Sequence, residues 1–159
     1  MTAGIYERAK ADTLARFKDT GPTRLNCAQS MVDFGLKVLG QDTDLSTVAR
    51  YLGGGVCSMG GTCGAVTGTA VALGLRDYFR GADPDEIETT KADLQRLMRA
   101  FAQEFGSLAC RELTGYDLST PEAMEIFKAS EAHDRCPIYV GWMCDRLLPF
   151  LTDDTGDPA

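Results

Sequence analysis

The sequence predicts an all-α fold: a single compact domain of about seven helices, with a glycine-rich loop leading into a central helix of small residues. Three observations carry that expectation. Apolar residues recur at helical spacing along most of the chain, the segments they form are bounded by helix caps, and no convincing stretch alternates apolar and polar residues with the period of two of a half-buried strand. At 159 residues, with 44% hydrophobic and 25% charged, the chain has the length and composition of one globule that can bury its own core. The domain is expected over residues 1–152, with a loose acidic tail over residues 153–159.

The first helix is expected from Thr2 to Lys18, with Tyr6, Ala9, Thr13, Leu14 and Phe17 on one face and Gly21-Pro22 ending it. A second begins near Asn26, capped by Asn26 or Thr23, and runs through Cys27, Ala28, Met31, Val32, Phe34 and Leu36 to Gly40. A short helix from Leu45 to Leu52 leads into the only glycine-dense loop, Gly53 to Gly61, after which Thr62 is a suitable N-cap for a helix from Cys63 to about Phe79. Gly64, Gly68 and Ala72 recur at spacings of four on that helix, so one stripe is almost bare of side chains. Glycine within a helix costs about 0.8–1 kcal/mol relative to alanine, and close approach by another backbone or by a cofactor would offset it. Gly61, Gly64 and Gly68 are therefore candidate cofactor-contacting positions.

Asp83-Pro84-Asp85-Glu86 combines a capping aspartate, proline at the first helical position and glutamate three residues after the cap, opening a helix that runs to Gly106. The carboxylates there read as first-turn charges complementing the helix dipole. Ser107 is expected to cap a short helix, Leu108 to Leu113, closed by Gly115. Ser119 or Thr120 precedes a helix beginning at Pro121, and the last helix is expected to open at Pro137 and weaken at Pro149.

Charge narrows the partners. The chain has 16 Lys and Arg against 23 Asp and Glu, a formal net charge of −7, and the excess falls after residue 50. A nucleic-acid role is not expected, because phosphate binding needs clustered cations. No apolar stretch reaches the roughly 18 residues of a membrane span and the first residues carry no signal-peptide core, so a cytoplasmic protein without membrane insertion is expected.

Six cysteines and a single histidine, His133, are the unusual entries in this composition. In a reducing compartment cysteines are packing residues, metal ligands or redox thiols, and the spacing of Cys27, Cys57, Cys63, Cys110, Cys136 and Cys144 matches no short zinc-finger or ferredoxin pattern. On the helix map, Cys27, Cys63, Cys110 and Cys136 fall at or near expected helix starts, where free amides and the dipole favour a thiolate and a lowered pKa. Cys57 lies in the glycine loop, close enough in sequence for a disulfide with Cys63, and Cys144 reads as apolar packing. His133 could act as base to Cys136 or replace a ligand, against the ordinary reading of an exposed histidine. Arg111, next to Cys110, could stabilise a thiolate there or form a surface pair with Glu112.

The run TCGAVTGTAVALGL behind the glycine loop, with NCAQS around Cys27, FGSLACRELTG around Cys110 and Cys136-Pro137, resembles the C_GCAxxG_C_C family of redox-active proteins over about residues 22–150. The family's core motif is met by Cys63-Gly64-Ala65-Val66-Thr67-Gly68. The resemblance implies a small helical domain whose four recurrent cysteines are Cys27, Cys63, Cys110 and Cys136. Cys57 and Cys144 depart from the family pattern. A related domain is used in split-Soret cytochromes, which associates the fold with electron transfer and iron–sulfur binding; this chain has no Cys-x-x-Cys-His haem attachment site.

Three function classes stay open on these residues. In the first, Cys27, Cys63, Cys110 and Cys136, with Cys57 as a further candidate, ligate an iron–sulfur cluster, or secondarily zinc, for electron transfer, since four soft thiolates suit those metals. In the second, two of the same cysteines form a dithiol–disulfide couple without metal, an oxidoreductase chemistry. In the third, the cysteines are packing and the small-residue stripe serves helix packing or a homodimer. The redox partner is not identified by the sequence.

Overall fold

A computed structural model describes residues 3–152. The expected tail 153–159 and the expected first helical residue, Thr2, lie outside the described residues. The described chain is helical, with α1 (Ala3–Lys18), α2 (Cys27–Val38), a 3-10 helix (Ser46–Leu52), α3 (Gly64–Arg80), α4 (Pro84–Phe105), α5 (Cys110–Thr114), α6 (Pro121–Lys128) and α7 (Glu131–Leu151). The predicted all-α class is what the structure has; the nearest approach to a strand among the described residues is one isolated antiparallel bridge, Thr62 to Ala109.

Local chemistry fixes most of the boundaries. The Asn26 side chain accepts from the Gln29 amide at 2.9 Å while Gln29 Oε1 accepts from the Asn26 amide at 3.2 Å, a reciprocal cap that starts α2. Asp83 and Glu86 make the same pair of bonds at the start of α4, with Pro84 at the first position. Thr120 accepts from the Ala123 amide at 3.2 Å and starts α6. Gly81, Gly106 and Gly115 take left-handed conformations that end α3, α4 and α5.

Four boundaries differ from expectation. The Leu45–Leu52 helix is the 3-10 helix Ser46–Leu52. Thr62 does not cap α3: it is extended in the bridge to Ala109, and Cys63 occupies the cap position without a side-chain bond. Leu108 lies in the paired segment rather than in α5, which begins only at Cys110. The last helix begins six residues before Pro137, at Glu131, with both Pro137 and Pro149 inside it.

Helix α2 sits at the centre, with every residue except Cys27 and Lys37 buried. Its most extensive contact is with α3. A Cβ on Gly68 would overlap the backbone of Ala28, and one on Gly35 would lie 2.9 Å from Ala72 Cβ. The bare stripe on α3 is thus where the α2 backbone comes close, the first of the two explanations the sequence leaves open. The main core joins Met31, Phe34, Leu73, Phe101, Val140, Met143 and Leu147 from α2, α3, α4 and α7. Asp33, on the α1 side of α2, accepts from Thr13 Oγ1 at 2.8 Å and pairs with Arg16 at 2.5 Å and Lys37 at 2.6 Å, so its buried carboxylate is fully partnered. Arg76 of α3 donates to the Phe150 carbonyl at 2.9 Å, holding the end of α7. No described helix is long and apolar enough to cross a membrane.

Candidate functional site

Three backbone devices bring cysteines from distant parts of the chain together. The capping box places Cys27 at the first position of α2. The bridge at Thr62 and Ala109 lets the Cys63 amide donate to the Leu108 carbonyl and the Cys110 amide to the Gly61 carbonyl, both at 2.7 Å, which sets Cys63 beside Cys110. The α2–α3 crossing is close enough that a Cβ on Gly64 would overlap Cys27 Sγ, so the absence of that side chain makes room for the sulfur. Cys136 reaches the same place from within α7.

All four line one cavity of about 570 Å³, together with Cys57. All six cysteines are free; Cys57 is exposed, Cys63, Cys110 and Cys144 are buried, and Cys27 and Cys136 are partly so. Cys144 is outside the cavity lining, fully enclosed, with its sulfur 4.0 Å from Met31 Sδ. That position is the packing one expected for it.

Electrostatics in the cavity run opposite to the sequence expectation of lowered thiol pKa values. Burial raises Cys110 to about 11, with the neighbouring Cys27 adding to it. Burial raises Cys136 to about 12, with Cys27 and Cys110 adding and Arg135 and Arg24 opposing. Cys63 is raised well above the ordinary thiol value, by burial and by Cys27, Cys110 and Cys136. Cys27 is also raised by burial, although amides of Gly54, Ala28 and Gly64 point at its sulfur and oppose the effect. The helix-start reasoning holds in part for Cys27, where the amides are present, and fails for Cys136, which is not at a helix start. Desolvation is the largest influence at every one of the four, and at Cys27 and Cys63 it outweighs the backbone amides. The mutual repulsion also says that the four sulfurs are near one another: each would destabilise the others as anions.

The glycine loop has a backbone that its sequence does not advertise. Val56, Cys57 and Ser58 have φ of 64°, 50° and 61°, and with Gly54 and Gly55 they form five successive left-handed residues. Non-glycine residues there cost on the order of 1 kcal/mol each, and strain of this kind gathers at functional sites. The bonds that hold it, Cys57 amide to Tyr51 carbonyl at 2.7 Å and Gly61 amide to Gly55 carbonyl at 2.9 Å, fold the loop back so that the Gly54 amide meets Cys27.

Sequence reasoning missed Gly54 as an amide donor, and it missed Arg24, Arg50, Lys128 and Gln29, which line the cavity from segments far apart in the chain. No local spacing signals them. His133 does line the cavity, one helical turn before Cys136, with its pKa lowered by burial and then by Arg24. Arg111 pairs at the surface with Asp117 at 3.2 Å, both half exposed, and not with Glu112, which accepts from the Ser107 hydroxyl. Gly61 lies against the Gly55 backbone, and Gly64 and Gly68 against α2, so these three candidate positions contact protein. Among the described residues, no three His, Cys, Asp or Glu side chains are grouped so as to hold a metal ion as they stand.

A protein-family model described as "Putative redox-active protein (C_GCAxxG_C_C)" matches residues 25–148, a span that contains all six cysteines. No curated protein and no solved structure matches the chain.

Proposed function

This chain belongs to the C_GCAxxG_C_C family of redox-active proteins, and from that premise we propose that Cys27, Cys63, Cys110 and Cys136 are the thiolate ligands of an iron–sulfur cluster that serves electron transfer in a reducing, cytoplasmic setting. One observation carries the reading: four thiols from four separate elements line one cavity, close enough to hold each other's pKa up. Neutral, they are stable there; as thiolates they need positive charge among them, and iron supplies it.

The donor set fits such a cluster better than a single ion. Four sulfurs at about 2.3 Å from one zinc would stand about 3.8 Å from each other, and no such grouping is present among the described residues. A cluster binds each cysteine at a different iron, so its ligands stand around a volume, as these do around the cavity. The amides of Gly54, Ala28 and Gly64 at Cys27 Sγ would donate hydrogen bonds to a bound thiolate, which raises the potential of such a centre. When bound, the cluster would supply one-electron transfer. The chain's own contribution is to bury Cys63 and Cys110 and partly bury Cys27 and Cys136, to hold Cys63 beside Cys110 through the bridge, and to leave Gly64 bare so that Cys27 can turn inward.

The metal-free dithiol reading draws less support, because an attacking thiol works best with a pKa near ambient pH, and burial takes these thiols in the other direction. Protein purified without oxygen should show the broad visible sulfur-to-iron absorption, bleached by dithionite. A colourless protein that two-electron oxidation converts to an internal disulfide would replace the cluster reading with the dithiol one.

A further inference from the structure

The cysteine cavity is one-sided in charge. The chain has 23 acidic residues against 16 basic ones, yet the charged side chains lining the cavity are Arg24, Arg50 and Lys128, joined by His133, with no Asp or Glu. They come from the loop before α2, the 3-10 helix, α6 and α7, so the fold collects them there. Among the described residues the guanidinium groups of Arg24 and Arg50 have no ion-pair or hydrogen-bond partner. Lys128 has one, Glu125 at 3.0 Å, itself outside the lining. Gln29 lines the same cavity: the residue is 8% exposed, its oxygen accepts from the Asn26 amide, and its side-chain nitrogen, which is open to solvent, makes no hydrogen bond. Asn26 Nδ2, donating to the Arg50 carbonyl at 2.7 Å, ties the Arg50 segment to the start of α2.

We propose that this cavity binds a small anion, a phosphate or carboxylate compound, as the substrate of the redox site. The unpaired guanidiniums of Arg24 and Arg50 take its charge and the Gln29 amide donates to it beside the thiols. Planar guanidinium groups match carboxylate and phosphate oxygens in pairs, and the exposed, unpaired Arg24 and Arg50 are free to reach an anion entering the cavity they line. A volume of about 570 Å³ is in the range of small-molecule sites. The lowered pKa of His133, with Arg24 and Lys128 both acting on the ring after burial, agrees with cations converging at this spot. The role as redox substrate rests on the proposed function above; the binding itself does not.

The test is calorimetry on reduced, cluster-free protein with inorganic phosphate, pyrophosphate and oxalate as probes at constant ionic strength, so that screening is held fixed. Saturable one-to-one binding of at least one probe is expected. It should weaken about tenfold or more in Arg24→Gln and in Arg50→Gln, the scale of one charge-assisted contact, and stay unchanged in the exposed control Arg99→Gln. Helical circular dichroism checks that each variant folds. No saturable binding by any probe, or equal binding by the Arg24 and Arg50 variants, overturns the proposal. So does an effect of those variants on cluster retention alone, which would mean that the cations serve the cluster. Anion binding in a protein that never takes up iron would leave this site standing and remove the cluster instead.

Discussion

Two glycines on α3 give a matched test of the α2–α3 crossing that brings Cys27 to Cys63. Gly68 and Gly74 both lie inside the helix Gly64–Arg80 with ordinary helical φ. In an open position, glycine to alanine stabilises a helix by about 0.8–1 kcal/mol through propensity alone. Gly74 is open: nothing stands within 4 Å of a Cβ placed there. At Gly68 the same methyl would be 2.7 Å from Ala28 Cα and 2.9 Å from its carbonyl carbon, and would overlap its oxygen. These are backbone atoms that cannot rotate away, so the overpacking penalty of about 1–3 kcal/mol applies at its upper end and exceeds the propensity gain. Gly74→Ala should therefore be stabilised by about 1 kcal/mol and Gly68→Ala destabilised by about 1–2 kcal/mol, a separation of about 2–3 kcal/mol within one helix. Urea unfolding read by circular dichroism at a shared m value measures both. A Gly68→Ala protein as stable as the wild type would refute the close crossing and, with it, the placement of Cys27 against Gly64.

Other outcomes follow from the cysteines. Cys144→Ala, which removes a fully enclosed sulfur packed on Met31, should cost about 1 kcal/mol by urea unfolding and leave metal content unchanged; a loss of metal would make Cys144 part of the site. The raised thiol pKa values also fix a pH dependence for the cluster-free protein. Cys110 at about 11 and Cys136 at about 12 stand above their unfolded value of 9.0, and burial also raises Cys27, Cys63 and Cys144. The folded state keeps protons that the unfolded state has released, so this stabilisation is complete below pH 9 and is lost as pH rises through 11 to 12. The urea midpoint should fall steadily above pH 9, and a flat profile up to pH 11 would contradict the burial of these thiols.

What the sequence made legible was local. Asn26 with Gln29, Asp83 with Glu86, Pro84, Thr120 and the glycines ending α3 to α5 set their boundaries through neighbours a few residues away. Pro137 misled because proline is favoured at a helix start. Here it sits in the seventh position of α7, tolerated although the His133 carbonyl loses its usual donor, while Tyr139, Val140 and Met143 beyond it anchor the helix in the core. Thr62 carried a cap signal that pairing with Ala109 overrode. In the site, the spaced cysteines could be picked out, but the sign of their pKa shifts could not, because burial is a property of the packed fold and it outweighs the helix starts. The left-handed run through Val56, Cys57 and Ser58 had no sequence signal at all, since none of these residues favours positive φ. Nor did Arg24, Arg50 and Lys128, which meet only in three dimensions.

The central claim is that Cys27, Cys63, Cys110 and Cys136 together hold one iron–sulfur cluster. Its most direct test is iron and acid-labile sulfide per chain after anaerobic purification, measured in the wild type and in single Cys→Ser variants at the six positions. The account predicts matched iron and sulfide in the wild type, loss of most of both at positions 27, 63, 110 and 136, and retention at 57 and 144. Iron and sulfide absent from the wild type, or unaffected by the four substitutions, would contradict it.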